Sequence, residues 1–120
     1  MLDHIGIPVS DLARSKHFFV AALGPLGYKV LYDLEAAVGM GSQGFPAFWI
    51  DQGQPRGPLH IAFSATDRGV VDAFYQAAIA AGGRDNGQPG IRADYHPDYY
   101  AAFVHDPDGN NIEVVCRKGS

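Results

Sequence analysis

The 120-residue chain has one cysteine, one tryptophan and two methionines. One cysteine cannot build a disulfide framework within the chain. Cys116 sits in an apolar run and reads as a packed strand residue rather than a nucleophile. Basic residues are scarce: 9 Lys and Arg stand against 13 Asp and Glu, for a net charge of -4 and a pI near 5.6. That leaves no basic stripe for nucleic acid. No apolar run approaches the roughly 18 residues of a membrane span. Met1 leads into a strand-like run without a charged-then-apolar leader, so a cytoplasmic setting is expected, with neither nucleic acid nor membrane as partner. What is present is 47% hydrophobic and 18% charged residues, enough apolar material for the core of one ordinary domain.

The chain also repeats itself. Residues 3–28 lie over 59–84 without a gap, setting His4 on His60, Ile5 on Ile61, Asp11 on Asp67, Phe18 on Phe74 and Gly27 on Gly83. In the first copy, residues 3–9 alternate, with Ile5, Ile7 and Val9 on one strand face and His4 with Gly6 on the other. Ser10 or Asp11 caps a helix. Phe18, Phe19, Ala22 and Leu23 form that helix's apolar stripe, and Gly24 and Pro25 end it. The second copy reads alike: a strand over 59–65, a cap at Thr66 or Asp67, a helix through Val71, Phe74, Ala78 and Ile79, and a stop at Gly82 and Gly83. Strands are predicted over 28–34, 36–40 and 47–51 in the first half, and over 99–105 and 110–117 in the second. Asp106-Pro107-Asp108-Gly109 is strong turn chemistry, and residues 85–97 read as an irregular strand or a long loop. The predicted fold is α+β: two tandem βαβββ modules forming a curved mixed sheet, a half-barrel around a cleft. Module one covers 1–52, a linker 53–57 and module two 58–117.

Pseudo-symmetry between the copies would hold the imidazoles of His4 and His60 opposite each other. A lone strand histidine is usually structural or exposed; a pair at repeat-equivalent positions strengthens a metal role. Glu113 supplies a third donor. Alternation puts Glu113 with Val115 on one face and Ile112, Val114 and Cys116 on the other. Its carboxylate points either outward to water or inward to a partner. Two imidazoles and a carboxylate with open positions suit a divalent ion: Fe, Zn, Mn, Ni or Co.

The runs D-H-I-G-I-P-V-S-D, L-H-I-A-F and H-D-P-D-G-N-N-I-E-V-V resemble the vicinal oxygen chelate superfamily, which holds glyoxalase I, the bleomycin-resistance proteins and the extradiol dioxygenases. The likeness covers almost the whole chain. It implies paired βαβββ modules with a glyoxalase-like fold, often a homodimer, and metal ligands at His4, His60 and Glu113. Glyoxalase I-like members carry a fourth ligand, usually Glu, on the last strand of the first module. Residues 47–50 read A-F-W-I, and setting Gly44 on Gly109 puts Phe48 opposite Glu113, so that ligand is missing. Three ligands match the extradiol dioxygenase pattern.

Around this set, Tyr95, His96 and Tyr100 are the candidate acids, bases or proton shuttles, against the alternative of an aromatic anchor holding a loop onto the sheet. Trp49, Phe48, Arg92 and Tyr99 are the candidate substrate contacts. His17 and His105 read as surface residues. The expected function is that of a divalent-metal-dependent enzyme, a lyase, isomerase or dioxygenase acting on a small oxygen-chelating substrate. The alternative is a metal-free protein that sequesters a small molecule.

Overall fold

The alternation and the caps build two copies of one arrangement. In the computed structural model, which describes residues 1–119, strand β1 (Ile5–Val9) leads into helix α1 (Leu12–Leu23). Strands β2 (Lys29–Asp33), β3 (Ala37–Gly41) and β4 (Phe48–Gln52) follow. The second copy is β5 (His60–Ser64), α2 (Arg68–Ala80), β6 (Arg84–Ile91), β7 (Tyr100–His105) and β8 (Asn111–Cys116). The two sheets have the orders β1-β4-β3-β2 and β5-β8-β7-β6. In each, the first strand pairs in parallel with the last and the others pair antiparallel. The sheets are two four-stranded units and do not close into a barrel. Neither helix is long and apolar enough to cross a membrane.

Both helices start where an aspartate caps them. Asp11 accepts from the Arg14 amide at 3.1 Å and Asp67 from the Val70 amide at 3.0 Å, each worth on the order of 1 kcal/mol. The helices lie on one side of the sheets. Phe18, Phe19 and Leu23 of α1, with Val71, Phe74 and Ala78 of α2, join Ile7, Val9, Phe48, Ile50, Ile112 and Val114 in one cluster spanning both modules. Phe48 and Phe63 meet edge-on across that boundary at 5.4 Å between ring centres. A polar latch reinforces it. Asp108, in the turn between β7 and β8, accepts hydrogen bonds from the Ser10 amide at 3.0 Å and from the Ser10 hydroxyl. That places a carboxylate at the start of α1, where the helix dipole favours negative charge.

The segment expected to be an irregular strand or a loop is partly each. β6 runs to Ile91, with register shifts against β7 around Gly87 and Gly90, and a chain of turns follows to Asp98. Gly87 has φ of +151°, outside the range that side-chain-bearing residues favour. Its missing side chain leaves room for the Phe103 ring, which a Cβ there would meet at 2.9 Å.

Candidate functional site

The side of the second sheet away from the helices is polar at one place. Alternation along β7 and β8 puts Tyr99, Ala101, Phe103 and Val115 in a small cluster apart from the main core, and Glu113 on the same face. Glu113 is 2% exposed, so of its two possible orientations it takes the one toward partners. His60 Nε2 stands 2.8 Å from Glu113 Oε1, because β5 and β8 are parallel neighbours with Ala62 opposite Glu113. The Tyr99 hydroxyl donates to Glu113 Oε2. A buried carboxylate is tolerable only with such partners. Burial, then the hydrogen bond to Glu113 and its charge, push the Tyr99 hydroxyl up to about 12, so it keeps its proton at neutral pH. The His60 side chain is 55% exposed. It opens with Glu113, Tyr99, Tyr95, Asp94, Phe103 and Arg117 onto a cavity of about 490 Å³.

The equivalent face of the first sheet is built differently. The register sets Gly6 against Trp49 and Ala62 against Glu113, so Trp49, not Phe48, occupies the position matching Glu113. The anchoring of Gly44 on Gly109 fails because the first module's left-handed turn glycine, at φ +75°, comes one residue earlier relative to its strand. Phe48 instead matches Ile112, is fully buried and packs edge-on against Phe19. It is therefore a core residue with no surface on the cavity. Trp49 leans over Gly39, where a Cβ would lie 2.8 Å from the indole ring, and stacks with Tyr32 at 5.5 Å between ring centres. The side chain at this strand's Glu113-equivalent position is thus an indole, neither a carboxylate nor an imidazole.

His4 does not join the pair. It precedes β1, its side chain is 58% exposed, and its Nδ1 lies 2.7 Å from its neighbour Asp3. It shares a cleft of about 330 Å³ with His60, Ile5, Tyr28 and Phe63. Among the described residues, no three His, Cys, Asp or Glu side chains group closely enough to hold a metal ion. The single chain thus assembles two of the three expected donors.

The flanking candidates separate by strand parity and by loop contacts. Tyr99 and Tyr95 face the cavity, their rings edge-on at 5.0 Å. Tyr100 points the other way: its hydroxyl donates to Asp72 on α2 at 2.6 Å and Arg68 covers its ring, so it lies outside this cavity's lining. His96 is also outside the cavity lining; its Nδ1 accepts from the Asp98 amide at 3.0 Å and shapes the turn. Arg92 is tied to the carbonyls of Gly90 and Gln88 at 2.8 Å each and lies over Phe103. That bonding braces β6, and Arg92 is not among the residues lining the cavity. His17 is exposed as expected. His105 is half-buried instead, with Nδ1 shielded and unpartnered among the described residues. Arg117, which the sequence reading passed over, lines the cavity and lies 4.8 Å from the Tyr99 ring centre. The signal was available: carrying the alternation of Glu113 and Val115 two residues further reaches it.

Comparison with known proteins shows the family and the fold. The model of the glyoxalase/bleomycin resistance protein/dioxygenase superfamily matches residues 1–114, and the chain belongs to that superfamily. An uncharacterized protein, YqjT, of Bacillus subtilis (strain 168) is 28% identical over 96% of this chain and 98% of its own length. The crystal structure of a glyoxalase/bleomycin resistance protein from Albidiferax ferrireducens T118 is 33% identical and superposes with a TM-score of 0.81, covering 97% of this chain and 98% of that one. Lactoylglutathione lyase from Agrobacterium tumefaciens, at 18% identity, shares the fold with a TM-score of 0.72 over 97% of this chain and 91% of that one. Members of the superfamily bind small molecules, and some are enzymes.

Proposed function

We propose that this protein is a divalent-metal-dependent enzyme of the glyoxalase and dioxygenase type, acting on a small substrate with adjacent oxygen donors. His60 and Glu113 hold the ion, and His4 is its third ligand. The observation that carries the reading is the His60–Glu113 contact on the wall of a cavity. The donors suit the ion in kind, one imidazole nitrogen and one carboxylate oxygen. Their 2.8 Å contact is a hydrogen bond; an ion between them would replace its proton and hold the two atoms about 3.3–3.6 Å apart in a tetrahedral shell of about 2.0–2.2 Å radius. When bound, such an ion supplies Lewis acidity to a substrate oxygen. The chain's own residues do the rest. Glu113 offers one oxygen while Tyr99 holds the other, Phe103 and Tyr95 give the substrate an apolar wall, and Arg117 adds a cation to the lining. Trp49 is the proposed substrate contact of the first module.

We also propose that the protein works as a homodimer, because one chain brings together only two donors and a second copy can offer its own His4 to complete the set. A cytoplasmic setting fits a buried, unpaired Cys116. A second reading, a metal-free binding protein of the bleomycin-resistance type, draws its support from Trp49 at the Glu113-equivalent position and from the outlying His4.

Elemental analysis of protein purified without chelator separates the two readings. About one divalent ion per chain, lost in His60→Ala, supports the enzyme. Metal-free protein, with ligand binding unchanged in His60→Ala, refutes it in favour of the binder.

A further inference from the structure

Tyr99 lies where a substrate contact is expected, yet little of it is left to touch a substrate. Its main chain is fixed on both sides: the amide donates to the His96 carbonyl at 3.1 Å and the carbonyl accepts from the Arg92 amide at 2.7 Å. Its ring lies against the Arg117 guanidinium, meets the Tyr95 ring edge-to-face and packs with Ala101 and Val115. The residue is 8% exposed. The hydroxyl carries one proton, and that proton is given to Glu113 Oε2. The other carboxylate oxygen is the one beside His60.

We propose that Tyr99 is a positioning residue that holds Glu113 in a single orientation, occupying Oε2 so that only Oε1 is presented, together with His60 Nε2, to the cavity. The inference rests on the reading of His60 and Glu113 as metal ligands. A glutamate side chain has three rotatable bonds, and a carboxylate without this clamp is free to turn both oxygens toward an ion. With Oε2 held by Tyr99, the carboxylate would offer an ion one oxygen, Oε1, beside His60 Nε2. Partners of this kind commonly tune a metal site through its ligands rather than by touching the ion.

The test compares the parent protein with Tyr99→Phe. Tyr100→Phe serves as the control, since it removes a hydroxyl from the same strand on the opposite face. Chelator-treated proteins are titrated with Co²⁺ by calorimetry and visible absorption, and the metal-free proteins are compared by ¹⁵N NMR of the His60 ring. In Tyr99→Phe, Co²⁺ affinity is expected to fall by about 10–100-fold, the visible spectrum of bound Co²⁺ to change as the second oxygen becomes available, and the His60 ring nitrogens to shift. Tyr100→Phe should match the parent throughout. Unchanged affinity and spectrum in Tyr99→Phe overturn the proposal. Should the parent bind no Co²⁺, the metal reading falls and the NMR comparison decides the clamp: displaced His60 nitrogens sustain it, unchanged ones overturn it. If circular dichroism shows Tyr99→Phe unfolded, Arg117→Gln loosens the ring without removing the hydroxyl. A few-fold loss of Co²⁺ affinity, or a His60 shift, is then expected, and parental values of both overturn the proposal.

Discussion

Removing the Asp108 carboxylate tests whether the two modules are held by the polar latch as well as by the shared core. Asp108→Ala deletes two acceptor contacts to Ser10 and leaves the turn itself intact, because that turn is closed by Asp106 accepting from the Asp108 and Asn110 amides. A hydrogen bond to a charged group contributes about 1.5–3 kcal/mol where it is shielded. Ser10 is exposed, so each contact deserves the lower figure or less. A negative charge at a helix start adds about 0.3–1 kcal/mol. The expected cost is about 1–2 kcal/mol. With an unfolding entropy of about 2.1 cal/mol/K per residue, this lowers Tm by roughly 4–8 °C in a chain of this length. Urea unfolding gives the free energy, and a double-mutant cycle with Ser10→Ala isolates the hydroxyl contact, expected to couple by about 0.5–1 kcal/mol. A loss under about 0.3 kcal/mol, with no coupling, would show that the apolar boundary alone joins the modules.

Phe48→Ala should destabilise the protein by about 3–5 kcal/mol, as a buried aromatic does, and leave metal binding per folded chain unchanged; a selective loss of ligand binding without loss of stability would restore Phe48 to the site. Gly39→Ala places a Cβ 2.8 Å from the Trp49 ring and must lift it from the sheet. Since Trp49 is the chain's one tryptophan, its fluorescence maximum should move, and an unchanged spectrum would contradict the stacked geometry. Asp106 is pushed above the usual carboxylate range by burial, partly offset by hydrogen bonds from Asn110 and Asp108. A raised carboxylate favours the fold below its unfolded pKa of about 4 and loses that contribution as pH rises through the folded value. The stability of the parent relative to Asp106→Asn should therefore increase on acidification from pH 7 toward about 4, and urea midpoints that run parallel over that range would rule the effect out.

The fold was legible because its signals are periodic and occur twice. Residues 3–9 and 59–65 differ from the observed β1 and β5 only at their ends, and both aspartate caps fall where the sequence puts them. Glu113 was half legible: alternation gave its face, but only the pairing of β8 with β5 and the reach of Tyr99 decide that the carboxylate is buried against partners. What was not legible depends on loops, where spacing does not fix register. The displaced glycine of the 42–47 loop exchanged Phe48 for Trp49. The turns between 92 and 98 sent His96 to a backbone amide instead of the cavity. Tyr100 was separable from Tyr99 by parity alone, since adjacent strand residues face opposite sides.

Across the duplication, one row of four positions shows how the halves have parted. In the first sheet the row from β1 to β2 is Gly6, Trp49, Gly39 and Tyr32; in the second, the row from β5 to β6 is Ala62, Glu113, Phe103 and Gly87. Each row sets a large ring beside a glycine that makes room for it: Trp49 over Gly39, and Phe103 over Gly87. The polar member survives only in the second row. A glutamate at position 49 would have no tyrosine corresponding to Tyr99 to take its second oxygen, because the first module's β2–β3 connection is three residues long and carries no loop like that at 92–99. The long excursion before β7 thus supplies one of the two partners that the buried Glu113 carboxylate has, and the first half has no residue placed to do the same at position 49.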